Sequence, residues 1–274
     1  MSFIKTPRGE FFYLKHGSVG PVVYLLHGLG AKCQDWESIP DELAEAGFRV
    51  FAFDMKGHGQ SEKPKLGYAP EDLARDLEAC AIEFSHRDIH VVGHSTGGRN
   101  ALFFATMFVD KTASLTIIDQ TLTADPEIWK KSQDEYSQYP VPFADEDSLD
   151  KFLLDKFPEK ERRRKFEKGQ FSINEANQWD WNFSVPAVLE IQRLGRAKAL
   201  HWLLKRVQCP TLFIKAEDSP YLSPEECEKI IDLLPPESLK VIEKAGHGVF
   251  RDNPQAFLGT LVPFLQSRVH PDMV

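Results

Sequence analysis

Six short runs along the chain are apolar almost throughout and end in turn-forming residues: VVYLLHG (22–28), FRVFAFD (48–54), IHVVGH (89–94), SLTIID (114–119), PTLFIK (210–215) and LKVIE (239–243). Continuous apolar runs rich in Val, Ile and Phe suit strands covered on both faces, as in a parallel sheet. Between most of these runs the apolar residues recur at helical spacing. Over 70–84, Leu73, Leu77, Cys80, Ala81 and Phe84 share one stripe behind Pro70, a residue suited to a first helical turn. Strand alternating with helix predicts an α/β fold on a doubly wound, mostly parallel sheet.

The alternation fails between about 120 and 206. Helix-like stretches at 148–157 and 199–207, together with the aromatic segment QWDWNF (178–183), predict a helical insertion covering one edge of the core. The expected division is a core of 1–120 with 207–274 and a helical cap of 121–206. Neither an internal repeat nor a low-complexity linker is visible.

Composition narrows the function classes. At 274 residues the chain can bury a substantial core, and 42% hydrophobic with 27% charged residues is an ordinary globular balance. A formal net charge of −8 works against a nucleic-acid partner, because phosphate binding needs clustered Lys and Arg. The basic run EKERRRKFEK (159–168) is interleaved with Glu161 and Glu167 and reads as a solvated helix face. The first residues lack the pattern of a secretory signal, and no run is long enough to span a bilayer, so no membrane partner is expected. Cys33, Cys80, Cys209 and Cys227 are scattered without CxxC pairing, which suits reduced thiols in a cytoplasmic protein.

The strongest chemical signal is VVGHSTGG (91–98), in which Gly93, Ser95 and Gly97 form G-x-S-x-G between a strand-like run and the helix-like RNALFFATMF. That is the setting of a nucleophile elbow, where glycines flank a strained turn that lifts a serine hydroxyl clear of the backbone. A nucleophilic hydroxyl needs a base and a place for the developing oxyanion. LLHGLG (25–30) is a Gly-rich turn after a strand, and the backbone N–H groups of Leu29 and Thr96 are the expected oxyanion donors. Taken alone, that turn would need only its glycines.

His247, in EKAGHGVF after the final strand-like run, is the candidate base. Of the other histidines, His27 and His94 belong to the two motifs, His58 to a turn, and His16, His86, His201 and His270 to none. His86, His90 and His94 are four apart, but 90–93 reads as strand, so they cannot share a helical face and no metal site is expected.

With HGLG, FDMKGHGQS (53–61), GHSTGG and AGH in this order, the chain resembles the α/β-hydrolase superfamily, in its serine-nucleophile branch with a helical cap. Serine rather than aspartate in the elbow does not resemble haloalkane dehalogenases or epoxide hydrolases. GHSTGG is also similar to the elbow of cofactor-free haloperoxidases. The superfamily usually takes its third catalytic group from a G-x-x-D loop after the strand corresponding to 210–215. Here that loop reads Ala216, Glu217, Asp218, Ser219, with serine where the acid is expected. Asp119, 24 residues past Ser95 at the end of the 114–119 run, is another candidate, because side chains at the carboxyl ends of neighbouring strands converge on one crevice. A branch that resembles this pattern, typified by (E)-2-(acetamidomethylene)succinate hydrolases, places its acid there and likewise carries Arg-Asn after the elbow, as Arg99 and Asn100 do here. We place the acid at Asp119, with Asp218 as the alternative and Glu217 behind it.

The resemblance implies a cofactor-independent serine hydrolase of a small acyl substrate, most simply a carboxylic ester, acting through Ser95, His247 and Asp119. Trp179, Trp181 and Arg99 are candidate pocket residues. Two alternatives stay open. One is cleavage of a carbon–carbon or amide bond in a ring-fission product, which would need a cation such as Arg99, Arg193 or Arg196 for a substrate carboxylate. The other is a slow-turnover ligand receptor on the same fold. Oligomeric state has no signature in the pattern.

Overall fold

The six apolar runs become six neighbouring parallel strands. The computed structural model describes residues 2–267. His270 lies outside the described residues. The strands in chain order are β1 (Ser2–Thr6), β2 (Gly9–His16), β3 (Val22–Leu26), β4 (Arg49–Phe53), β5 (Ile89–His94), β6 (Thr112–Ile118), β7 (Phe171–Ile173), β8 (Trp179–Trp181), β9 (Thr211–Ala216) and β10 (Leu239–Ile242). Eight form one sheet in the order β1-β2-β4-β3-β5-β6-β9-β10. From β4 to β10 every pairing is parallel, whereas β1 and β2 pair antiparallel with each other and β2 antiparallel with β4. These two strands were not anticipated. SFIKT and GEFFYLKH mix polar and apolar positions at the edge of the sheet, so they lack the continuous apolar run that marks a covered strand.

Alternate residues of each strand feed opposite faces. Tyr24, Leu26, Val91, Leu115 and Phe213 pack with α2 (Pro70–Glu83) and α3 (Thr96–Met107), while Val23, Leu25, Val92, Leu212 and Ile214 pack with α1 (Ile39–Glu45) and α11 (Pro254–Gln266). In α2, Leu73, Leu77, Cys80 and Ala81 face the first of these clusters, as the spacing predicts.

Between β6 and β9 the chain adds no strand to the main sheet. It forms α4 (Ile128–Tyr136), α5 (Glu146–Lys156), α6 (Glu161–Lys168), α7 (Val185–Gly195), the short α8 (His201–Leu204) and the β7–β8 hairpin. Within QWDWNF, Trp179–Trp181 forms strand β8. Its aromatic rings pair across the hairpin, and Phe171 stacks on Trp181 at 4.1 Å. A separate cluster of Tyr139, Phe143, Leu149, Leu153 and Phe171 gives this segment its own small core. After β9 follow α9 (Pro224–Ile231) and α10 (Val249–Asp252). None of the described helices is long and apolar enough to cross a membrane.

The turn after β4 is tied to α2 by a buried ion pair that Arg8 joins from the β1–β2 turn. Lys56 Nζ lies 2.7 Å from Asp76 Oδ2, and Arg8 Nε is 2.6 Å from Asp76 Oδ1. Lys56 and Asp76 are both buried, so removing one charge strands the other away from water. Asp76→Ala should therefore lower the unfolding free energy by about 3–5 kcal/mol, read by guanidinium denaturation. A loss below about 1 kcal/mol would show that the cluster contributes no more than a surface pair.

Candidate active site

At the junction of β5 and α3, Ser95 adopts φ 52° and ψ −125°, a conformation costly for a residue with a Cβ. The flanking glycines make it attainable. A Cβ on Gly93 would sit 2.2 Å from the Gly97 carbonyl oxygen, and one on Gly97 would sit 2.3 Å from that of Leu26. The turn can close only if both are glycine. Thr96 opens α3, so its N–H belongs to the helix end that lacks intrahelical acceptors.

The turn bearing Leu29 is held by two buried histidines. His27 Nδ1 donates to the Gly28 carbonyl at 2.7 Å, while its Nε2 accepts from Met55 N–H at 3.0 Å. His58 Nε2 accepts from Gly30 N–H at 3.1 Å and its Nδ1 donates to the Lys56 carbonyl. Burial pushes both imidazoles below their ordinary pKa, His58 to about 3, which keeps the acceptor nitrogens unprotonated. Asp54 completes the link by accepting from Cys33 N–H at 2.7 Å and Gln60 N–H at 2.8 Å.

Asp119 follows β6 with φ 46° and is 0% exposed. Its Oδ2 lies 2.7 Å from His247 Nδ1 and also accepts from the Ser219 hydroxyl, while Oδ1 accepts from Ala216 N–H at 3.2 Å. The serine in the later loop is thus a donor to the carboxylate of the earlier strand, a role that no sequence pattern announced. Asp218 and Glu217 are exposed, and Glu217 accepts from Lys244 N–H at 2.9 Å. His247 is further held by Tyr221, whose ring stacks on it at 4.1 Å, and by His94 Nε2, which donates to its carbonyl at 2.7 Å. Burial, with the neighbouring His247, pushes His94 well below its ordinary pKa.

Leu29, Ser95, Thr96 and His247 share the wall of one cavity of about 760 Å³. The segment between β6 and β9 supplies the opposite wall, including Tyr136, Tyr139 and Phe166.

Three pocket expectations need correction. Arg99 does not line this cavity: its guanidinium donates to the carbonyls of Gly195 at 2.7 Å, Thr121 at 2.8 Å and Thr123 at 2.7 Å. Trp179 and Trp181 stand behind the wall, where Trp181 stacks on Phe171 and Phe183 and meets Tyr136 and Tyr139 by ring contacts. The 159–168 run is only partly a solvated face, since Glu167 is buried against Tyr139, ion-paired with Arg163, and both line the cavity. His86 and His90 are remote from one another in function, bonding Tyr24 Oη and Ser114 Oγ respectively.

Residues 21–254 match the sequence profile of the α/β-hydrolase fold family. The chain belongs to that family. This α/β-hydrolase is 24% identical over 251 residues to the 2-(acetamidomethylene)succinate hydrolase of Mesorhizobium japonicum, an alignment spanning 90% of this chain and 89% of that protein. Its fold is similar to the crystal structure of E-2-(acetamidomethylene)succinate hydrolase, with TM-score 0.82, 23% identity and coverage of 97% and 100% of the two chains. It is likewise similar to a marine microorganism esterase, with TM-score 0.81, 22% identity and coverage of 93% and 98%.

The strain at the elbow of this α/β-hydrolase is open to measurement. Glycine adopts the Ser95 conformation without a Cβ penalty, so Ser95→Gly should raise the unfolding free energy by about 1 kcal/mol after the entropic cost of the added glycine. Denaturant titration reads the change, and an unchanged or lowered midpoint would mean the turn stores no strain.

Proposed function

We propose that the protein is a cofactor-independent serine hydrolase of small acyl substrates, with carboxylic esters the simplest class. The observation carrying this reading is the 2.7 Å contact of buried Asp119 with His247 Nδ1, in a histidine that shares one cavity with Ser95.

In this reading Asp119 holds the His247 tautomer that leaves Nε2 free as a base. Ser95 Oγ attacks the acyl carbon as Nε2 takes its proton. The carbonyl oxygen becomes an oxyanion stabilised by the N–H groups of Leu29 and Thr96. Collapse expels the alcohol, which takes the proton from His247 and leaves an acyl-Ser95. Water then repeats the sequence, giving up a proton to His247 and releasing the acid. Ser219 and Ala216 N–H supply further hydrogen bonds that keep the Asp119 carboxylate aimed at the imidazole.

Kinetics on short 4-nitrophenyl esters tests the assignment. Ser95→Ala should lower kcat by at least about 10³-fold and Asp119→Asn by about 10³- to 10⁴-fold, as expected when a nucleophile or a tautomer-fixing carboxylate is lost. Asp218→Asn should stay within about twofold, because an exposed charge outside the contact holds no tautomer. Retained turnover in Ser95→Ala refutes the nucleophile, and loss in Asp218→Asn with retention in Asp119→Asn moves the acid to the later loop.

A further inference from the structure

Two arginines stand at the end of α7: Arg99, which reaches from α3 to the Gly195 carbonyl, and Arg196, which caps α7. Their surroundings differ. Arg99 is 2% exposed and spends its terminal nitrogens on three backbone carbonyls. Arg196 is half-buried and lines the cavity that holds Ser95 and His247. Among the described residues, no side chain or carbonyl forms a hydrogen bond or ion pair with the Arg196 guanidinium.

The acids near Arg196 do not satisfy it. Glu226 is fully occupied, since Oε1 accepts from Leu122 N–H at 2.6 Å and bonds His201 Nε2 at 3.0 Å, while Oε2 accepts from Thr123 Oγ1 at 2.6 Å. Asp125 acts on Arg196 through space, outside ion-pair distance. Burial pushes the Arg196 guanidinium below its usual value, with Tyr221, Asp125 and Glu226 opposing the shift. Of the other cations on the wall, Lys131 and Lys229 are exposed, Arg251 lies over the Phe166 and Phe250 rings, and Arg163 pairs with Glu167 and lies 3.7 Å from Glu135. A desolvated guanidinium without a partner is costly, and its planar fork matches a carboxylate. The second cation, Arg99, adds positive potential without competing for the ligand. Tyr221 lies on the wall of the same cavity and stacks on His247.

We propose that Arg196 anchors a free carboxylate on the substrate, so that the preferred acyl compounds are half-esters of short dicarboxylic acids rather than neutral esters. The turnover part of this inference rests on the serine-hydrolase reading, and the binding part does not.

Two measurements separate them. The first compares kcat/KM for mono-4-nitrophenyl glutarate and 4-nitrophenyl butyrate. Wild type should prefer the glutarate. Arg196→Gln should lose about 10- to 100-fold on it, mainly in KM, and less than about threefold on the butyrate, while Arg196→Lys should recover part of the loss by restoring charge without the fork. The second is calorimetric binding of glutarate itself. Ser95→Ala should bind it as wild type does, Arg196→Gln at least about tenfold more weakly, and inorganic phosphate should not compete. If Ser95→Ala still turns over esters, the acyl-enzyme reading fails while the glutarate titration continues to report on Arg196. Wild type without a preference for the glutarate ester overturns the anchor whether or not any variant folds. So does equal loss on both esters, glutarate binding indifferent to Arg196→Gln, or phosphate that competes as well as glutarate.

Discussion

A carboxylate with no exposure to water has to be met by donors, and in this protein that requirement organises the whole carboxyl edge of the sheet. Asp119 collects Ala216 N–H, the Ser219 hydroxyl and His247 Nδ1, while its own N–H extends the β6–β9 ladder to Ile214 at 2.7 Å. Leaving such a charge unpaired costs several kcal/mol, so these donors constrain one another. The 216–219 loop must bring its serine inward, and the loop after β10 must bring its histidine to the same oxygen. Only a strand order that sets β6 beside β9 allows both. The imidazole is thereby oriented from the neighbouring strand, and the later loop contributes a donor instead of an acid.

On the opposite side of Ser95 the constraint is made of neutral groups. His27 and His58 each donate through Nδ1 and accept through Nε2, an arrangement open only to an uncharged ring. Burial keeps them uncharged, and the same burial makes a lost hydrogen bond expensive. The turn 27–30 is therefore locked to the turn after β4, and through Lys56 and Asp76 to α2. A strained residue such as Ser95 persists where its surroundings over-determine it, and here the surroundings are these two turns and a pair of glycines with no room for a Cβ.

The parts legible in the sequence were those with a periodic or steric signature. Strands covered on both faces wrote themselves as apolar runs, and the elbow as glycines around a serine. Asp119 became a candidate because Ser219 stood where an acid was expected, and its carboxylate lies 2.7 Å from His247 Nδ1. β1, at the edge, and β2, between β1 and β4, escaped because neither carries a continuous apolar run, β2 being buried only at Phe11 and Phe12. The misplaced pocket residues share another cause. Composition shows that Arg99, Trp179 and Trp181 are present but not which way they turn. Arg99 follows a helix face inward to orphan carbonyls, and Trp181 follows the two-residue period of a hairpin into its aromatic stack. Arg196 was named only as one cation among three, because whether a guanidinium is free depends on the company that the fold gives it.

That company is also what joins the inserted segment to the core. Glu226 of α9 takes Leu122 N–H and Thr123 Oγ1 near the start of the insertion and His201 near its end, so one carboxylate gathers both crossings. Arg99 of α3 does the same with the carbonyls of Thr121, Thr123 and Gly195. Each fastening uses a charged group, and Glu226, Thr121 and Thr123 also line the cavity, so the joints between insertion and core are part of its wall. Tyr136, Tyr139 and Phe166 complete the same wall from the inserted segment. A substitution at Glu226 or Thr123 would therefore disturb the attachment of the insertion and the shape of the cavity together, because one set of hydrogen bonds serves both.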